Sequence, residues 1–124
     1  MRSTRVSSVL AVIAGLVLLS TSTRAHHGAA SLYDVNKEVT MKATITEFVW
    51  TSPHVEVGVA SVDDKSQRLL LELGSPPNIV NRGWTAKSLK PGDVVTVTYN
   101  PGLRGMRIGR LLKVVLPDGK ELRA

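Results

Sequence analysis

Apolar and polar residues alternate along much of the chain, beginning near residue 39. The first apolar residues at every second position are Val39, Met41, Ala43 and Ile45. A period of two is typical of a strand with one buried face. The alternation then shifts by one residue. The first four apolar residues stand at odd-numbered positions, whereas the next large ones, Phe48 and Trp50, stand at even-numbered positions. A shift by one residue within a strand predicts a β-bulge.

Three further strands show the same alternation, and a fifth is expected at about residues 106–116. The positions predicted to face inward in strands two to four are Val55, Val57, Val59, Leu69, Leu71, Leu73, Val95, Val97 and Tyr99. Polar turns separate the strands, such as residues 63–66 and 117–119, which are rich in Asp, Ser and Gly. The pattern therefore predicts an all-β domain.

One short helix is predicted between the third and fourth strands. Ser75 is placed to cap it, Pro76 suits its first position and Gly83 suits its end. Trp84 and Leu89 follow, and we expect these two side chains to plug one end of the core.

The order of strand, strand, strand, helix, strand, strand favours a small five-stranded Greek-key barrel that is like the OB-fold. A meander sandwich is the alternative. The barrel domain would span residues 39–124, preceded by an N-terminal arm at residues 26–38 in which Leu32 and Tyr33 are candidate anchors.

The first 25 residues have the layout of a signal peptide. Arg2 and Arg5 supply a charged start, residues 9–19 are apolar, and Thr23 and Ala25 are small residues at the expected cleavage positions. Cleavage between Ala25 and His26 would release the protein into the periplasm. The apolar segment is shorter than the roughly 20 residues that span a bilayer, so we expect no stable membrane insertion after cleavage.

Composition narrows the possible functions. The chain has no cysteine, which excludes disulfides and thiolate metal sites. Its net charge is +6, but three of the arginines lie in the leader. Aromatic residues make up only 4% of the chain, too few to stack on bases, so we expect no nucleic-acid partner. No nucleophile elbow is present, and we do not expect an enzyme.

Several short motifs occur in an order that resembles a known family. They are His26-His27-Gly28, Thr51-Ser52-Pro53-His54-Val55, Glu72-Leu73-Gly74-Ser75-Pro76, Arg82-Gly83-Trp84 and Leu89-Lys90-Pro91-Gly92-Asp93. The sequence resembles small exported bacterial proteins grouped as a domain of unknown function, family 6152. The resemblance implies a periplasmic location and a barrel-like fold, and it implies no established activity.

The histidines are the candidate chemistry. After cleavage His26 would carry a free α-amine beside its imidazole, with His27 adjacent. Strand alternation places His54 and Glu56 together on the face opposite Val55. A cysteine-free, nitrogen-rich set suits Cu(II), and Ni(II) or Zn(II) less specifically. The predicted metal ligands are therefore His26, His27, His54 and Glu56. For each, a purely structural or solvated role is the other interpretation.

Two functional hypotheses follow. The first is a periplasmic module that binds copper through its mature N-terminus. The second is a metal-free binding or assembly module that holds a periplasmic protein or a polysaccharide through its barrel face or its basic last hairpin. Basic residues concentrate toward the end of the chain, at Arg104, Arg107, Arg110, Lys113, Lys120 and Arg123.

Overall fold

The computed structural model describes residues 32–124, which form six strands and one short α-helix. The elements are β1 (Val39–Val49), β2 (Glu56–Ser61), β3 (Arg68–Glu72), α1 (Pro76–Ile79), β4 (Val94–Pro101), β5 (Ile108–Val115) and β6 (Glu121–Arg123). Two 3₁₀ turns, Val80–Arg82 and Leu103–Gly105, lie after α1 and after β4. Within this range no helix is long and apolar enough to cross a membrane.

The strands close into a barrel. Their order is β3-β2-β1-β4-β5, and β3 pairs with β5 in parallel to complete the circle, while the other neighbours are antiparallel. The predicted five-stranded Greek-key barrel with a helix between the third and fourth strands is confirmed. The sandwich alternative is wrong. A sandwich consists of two separate sheets packed face to face, whereas here the β3–β5 pair closes a single sheet.

The β-bulge in β1 explains how one strand serves two neighbours. Residues 39–44 pair with β4, residues 43–49 pair with β2, and the register with β2 shifts between Ile45 and Glu47. A bulge bends a strand and increases its twist. The predicted change of parity is therefore confirmed, and it lies where β1 turns from one side of the barrel to the other.

The core contains nearly all the side chains that the alternation assigned to it, and Leu69 is the exception, because it is only partly buried and packs against the core. Val55, Val57, Val59, Leu71 and Val97 are all completely buried. Side chains pack very closely against β5 where it meets β3. There a Cβ on Gly109 would lie 2.6 Å from a ring carbon of Tyr99 and 2.7 Å from a methyl carbon of Leu71. Glycine is therefore the residue that allows this close approach.

Trp84 and Leu89, the two side chains that follow the helix, are both buried in the core. Trp84 is fully buried, and its indole Nε1 donates a hydrogen bond to the Arg123 carbonyl oxygen at 2.7 Å. Gly83, with φ of 91°, ends the 3₁₀ turn. The expected side-chain cap by Ser75 is wrong: Ser75 precedes the helix, but its hydroxyl makes no cap bond, and its carbonyl accepts the Asn78 N–H instead. Pro77 lacks the N–H that a serine cap commonly binds.

The end of the chain is more ordered than the sequence indicated. The tail after the turn at residues 117–119 forms β6, which pairs with β5. Leu122 turns inward and is buried, whereas its neighbours Glu121 and Arg123 are exposed and form an ion pair with each other. Three residues are too few to show a period in the sequence, so this strand is recognised only by its pairing with β5 and by the packing of Leu122.

Candidate functional site

The N-terminal arm lies against the end of β4. Tyr33 pairs with Gly102 as an isolated bridge, the Asp34 N–H donates to the Pro101 carbonyl at 2.9 Å, and the Leu103 N–H donates to the Leu32 carbonyl at 2.8 Å. The predicted anchoring differs between the two candidates. Tyr33 is buried, whereas Leu32 is 46% exposed and bonds to the barrel through its backbone carbonyl.

Tyr33 reaches across the barrel surface to β3. Its hydroxyl donates a hydrogen bond of 2.5 Å to a carboxylate oxygen of Glu72. Burial, and then the hydrogen bond to the Glu72 carboxylate, raise the pKa of Tyr33 well above its ordinary value. The phenol therefore remains a donor over the whole neutral range, and the contact fixes the arm to the end of β3.

Glu72 belongs to a row of charged residues that crosses three strands. In the strand register it stands beside Glu56 of β2 on one side and beside Arg110 of β5 on the other. The neighbouring row, which contains Val57, Leu71 and Gly109, faces the interior. Adjacent positions on a strand point to opposite faces, so the charged row faces outward, beneath the arm.

His54 is held at the entrance to β2. Its Nδ1 lies 3.0 Å from the carbonyl oxygen of Leu73, and because a carbonyl only accepts, Nδ1 must donate. Backbone bonds from Val55 to Gly74 and from Leu73 to Val55 fix this part of the chain. The structure gives Nε2 no hydrogen-bond partner among residues 32–124. A histidine that binds a metal through one ring nitrogen usually donates a hydrogen bond from the other, often to a backbone carbonyl. The same hydrogen bond also fits the purely structural role that the sequence left open for His54.

The predicted metal ligands are only partly within the described residues. Along the chain, the buried Val55 separates the exposed His54 from the half-buried Glu56, which agrees with the placement of His54 and Glu56 on the outer face. Over residues 32–124, however, no three His, Asp or Glu side chains are grouped closely enough to hold a metal ion. His26 and His27 lie outside the described residues, so the four-residue copper site stays a prediction.

A cavity of about 670 Å³ lies between the arm, the helix and the line where β3 meets β5. Leu32, Tyr33 and His54 all line it, so the first described residues of the arm and the candidate ligand border the same space. Its other polar lining residues are Glu72, Asn78, Arg82 and Arg110. The sequence did not predict that these four would meet, because they come from four separate elements: Glu72 and Arg82 stand in different motifs, and Arg110 was noted only as one of the late basic residues.

Comparisons with known proteins give one match. The model of DUF6152, a family of unknown function, matches residues 13–111, which is most of the chain. Neither the curated proteins nor the solved structures contain a significant match.

Proposed function

The chain belongs to the DUF6152 family of unknown function, and we propose that it is an exported, non-enzymatic module that binds copper with its mature N-terminus. The observation that supports this is the position of His54. Its imidazole is oriented by the Leu73 carbonyl and stands at a cavity that the start of the arm also lines. A ligand held in one orientation binds a metal with less loss of entropy than a free side chain.

The arm is long enough to bring its histidines back to His54. Tyr33 is fixed by its bridge to Gly102 and by Glu72. Six peptide steps separate His27 from Tyr33, and an extended chain advances about 3.3–3.6 Å per residue, which gives a reach of about 20 Å. The span from one wall of the shared cavity to another is well within such a reach.

The donor set suits Cu(II). The α-amine and imidazole of His26 would form one chelate ring, and His27 and His54 would each add a nitrogen, with the Glu56 carboxylate on the same outer face. Protons compete for the amine and the imidazoles. Copper affinity should therefore fall as pH drops below about 6.5, the ordinary range of histidine.

The first measurement is the mass of the protein recovered from the periplasm. The proposal requires a chain that begins at His26, since the free amine exists only after cleavage. A retained leader or a start at Gly28 would contradict both export with this cleavage and the copper site.

The second measurement is the Cu(II) electron paramagnetic resonance spectrum of the processed protein. We expect the spectrum to show several nitrogen ligands. The number should fall after His54→Ala, and the signal of this nitrogen-ligated copper should disappear after acetylation of the amine. Ser52→Ala, two residues from His54 and not a predicted ligand, is the matched control. A spectrum unchanged by acetylation and by His26→Ala would overturn the proposal.

The metal-free alternative would then become the preferred function. Arg104 and Arg107 are exposed beside the turn that precedes β5, and no ion pair in residues 32–124 includes either. Such a basic edge favours an anionic periplasmic protein or polysaccharide. Loss of that binding in an Arg104→Gln, Arg107→Gln double variant would support this function.

A further inference from the structure

Two carboxylates stand near His54 on the outer face of the barrel. Glu72 of β3 lies beside Glu56 of β2 in the strand register, and both residues are half-buried. Among the described residues that line the cavity shared by His54 and the start of the arm, Glu72 is the one carboxylate, and Glu56 is not a lining residue. The two side chains therefore differ in their access to the space where the histidines would meet.

His54 and Glu72 are held next to each other. The His54 Nδ1 donates to the Leu73 carbonyl oxygen at 3.0 Å, and Leu73 directly follows Glu72 in the chain. The Leu73 N–H in turn donates to the Val55 carbonyl oxygen at 2.9 Å. The imidazole and the Glu72 carboxylate are therefore anchored on consecutive residues. Because Nδ1 carries the donated proton, Nε2 is the ring nitrogen that can bind a metal.

Glu72 keeps one carboxylate oxygen for a metal. The Tyr33 hydroxyl donates to Oε2 of Glu72 at 2.5 Å. No ion pair within residues 32–124 includes Glu72, and a carboxylate offers about four lone-pair sites. Oε1 can therefore bind a cation while Oε2 stays bonded to Tyr33. A ligating carboxylate is commonly oriented by such a hydrogen bond.

The charges around Glu72 favour a cation. Glu56, Glu72 and Arg110 stand side by side across three strands, which leaves the row with a formal excess of negative charge. Like charges directly opposite each other destabilise an antiparallel pair. In the described part of the chain, no ion pair includes Arg110. A cation bound to Glu72 would therefore relieve the repulsion between the two carboxylates.

On the basis of the proposed function, we infer that Glu72 rather than Glu56 supplies the carboxylate ligand of the copper site. The described residues would give the metal Oε1 of Glu72 and Nε2 of His54, and the two arm histidines would supply the other ligands. Two described ligands agree with the finding that no three His, Asp or Glu side chains within residues 32–124 are grouped closely enough to hold a metal ion. The Tyr33 hydroxyl would then orient a ligand as well as anchor the arm.

The test is a titration of the processed protein with copper(II) sulfate, followed by electron paramagnetic resonance. Glu72→Gln should weaken copper binding at least about tenfold and change the parallel g value, because an oxygen ligand is lost. Glu56→Gln, the matched control, should change the affinity by less than about twofold. Both variants remove one negative charge from the same row, so the difference between them measures direct coordination. A glutamine side chain also accepts the Tyr33 hydrogen bond, so the arm should stay anchored.

Carbon-13 NMR of the unmutated protein gives an independent measure if a variant fails to fold. Substoichiometric Cu(II) should broaden the carboxyl signal of Glu72 before that of Glu56, and it should leave that of Asp118, in the turn before β6, unchanged. Equal losses of affinity in the two variants, or earlier broadening of Glu56, would contradict the assignment of Glu72. Copper binding that Glu72→Gln leaves unchanged would overturn this assignment alone, whereas no copper binding by the unmutated protein would overturn the proposed function with it.

Discussion

The interior of the barrel and the flank beneath the arm differ in how their residues come together. In the interior, Val57 and Leu71 are register partners on adjacent strands, and their burial follows from the period of two. On the flank, Tyr33, His54 and Arg110 come from three distant segments and meet around one cavity. The comparison shows that the strands with alternating apolar and polar residues provide the stability, whereas the candidate chemistry comes from residues that no such pattern brings together.

The largest expected effect is in the interior. Leu71→Ala should lower the free energy of unfolding by about 2–5 kcal/mol, because it removes a completely buried leucine and leaves a void. Thr96→Ala, on the other face of β4, should cost less than about 0.5 kcal/mol. Chemical denaturation of both variants measures the difference. Equal and small losses would show that the assigned strand faces do not determine stability.

The next effect tests the closure between β3 and β5. Gly109→Ala should destabilise the protein by about 1–3 kcal/mol, since its new methyl group would overlap Tyr99 and Leu71. The loss should be smaller in a Leu71→Ala background, where part of the space is empty. Additive losses in the double variant, measured by denaturation, would mean that Leu71 and residue 109 do not compete for the same volume.

Removing the contact that anchors the arm should have a smaller effect. Tyr33→Phe deletes the hydrogen bond to Glu72 and should cost about 1 kcal/mol, the usual net value of such a bond. Hydrogen exchange at the Asp34 amide, which bonds to Pro101, should increase in the variant while core amides stay protected. Unchanged exchange at Asp34 would indicate that the backbone bonds alone hold the arm.

The pH dependence of stability gives the smallest signal and concerns the same contact. The pKa of Tyr33 is raised in the folded protein, so its contribution is complete below the ordinary tyrosine value of about 10. Above that pH the unfolded chain loses this proton first, and stability should fall as pH rises. Tyr33→Phe should remove this part of the decline in a denaturation series. An identical decline in both proteins would assign it to other groups.

Much of the barrel could be predicted because its order is local. Alternation assigned Val57, Leu71 and Val97 to the core, the change of parity located the bulge in β1, and Gly83 marked the end of the helical region. These signals need only neighbouring residues, since side-chain direction and turn conformation are decided over a few positions. The need for glycine at position 109 could not be seen, because the atoms it approaches belong to β3 and β4.

The candidate site divides along the same line. By itself the sequence determined that His54 and Glu56 stand two positions apart around the start of a strand, and that His26 and His27 directly follow the predicted cleavage position. Only the tertiary structure decided that Tyr33 bonds to Glu72 and that Arg82 and Arg110 border one cavity. The physical reason is the parallel pairing of β3 with β5, a contact between distant segments whose register no local pattern encodes.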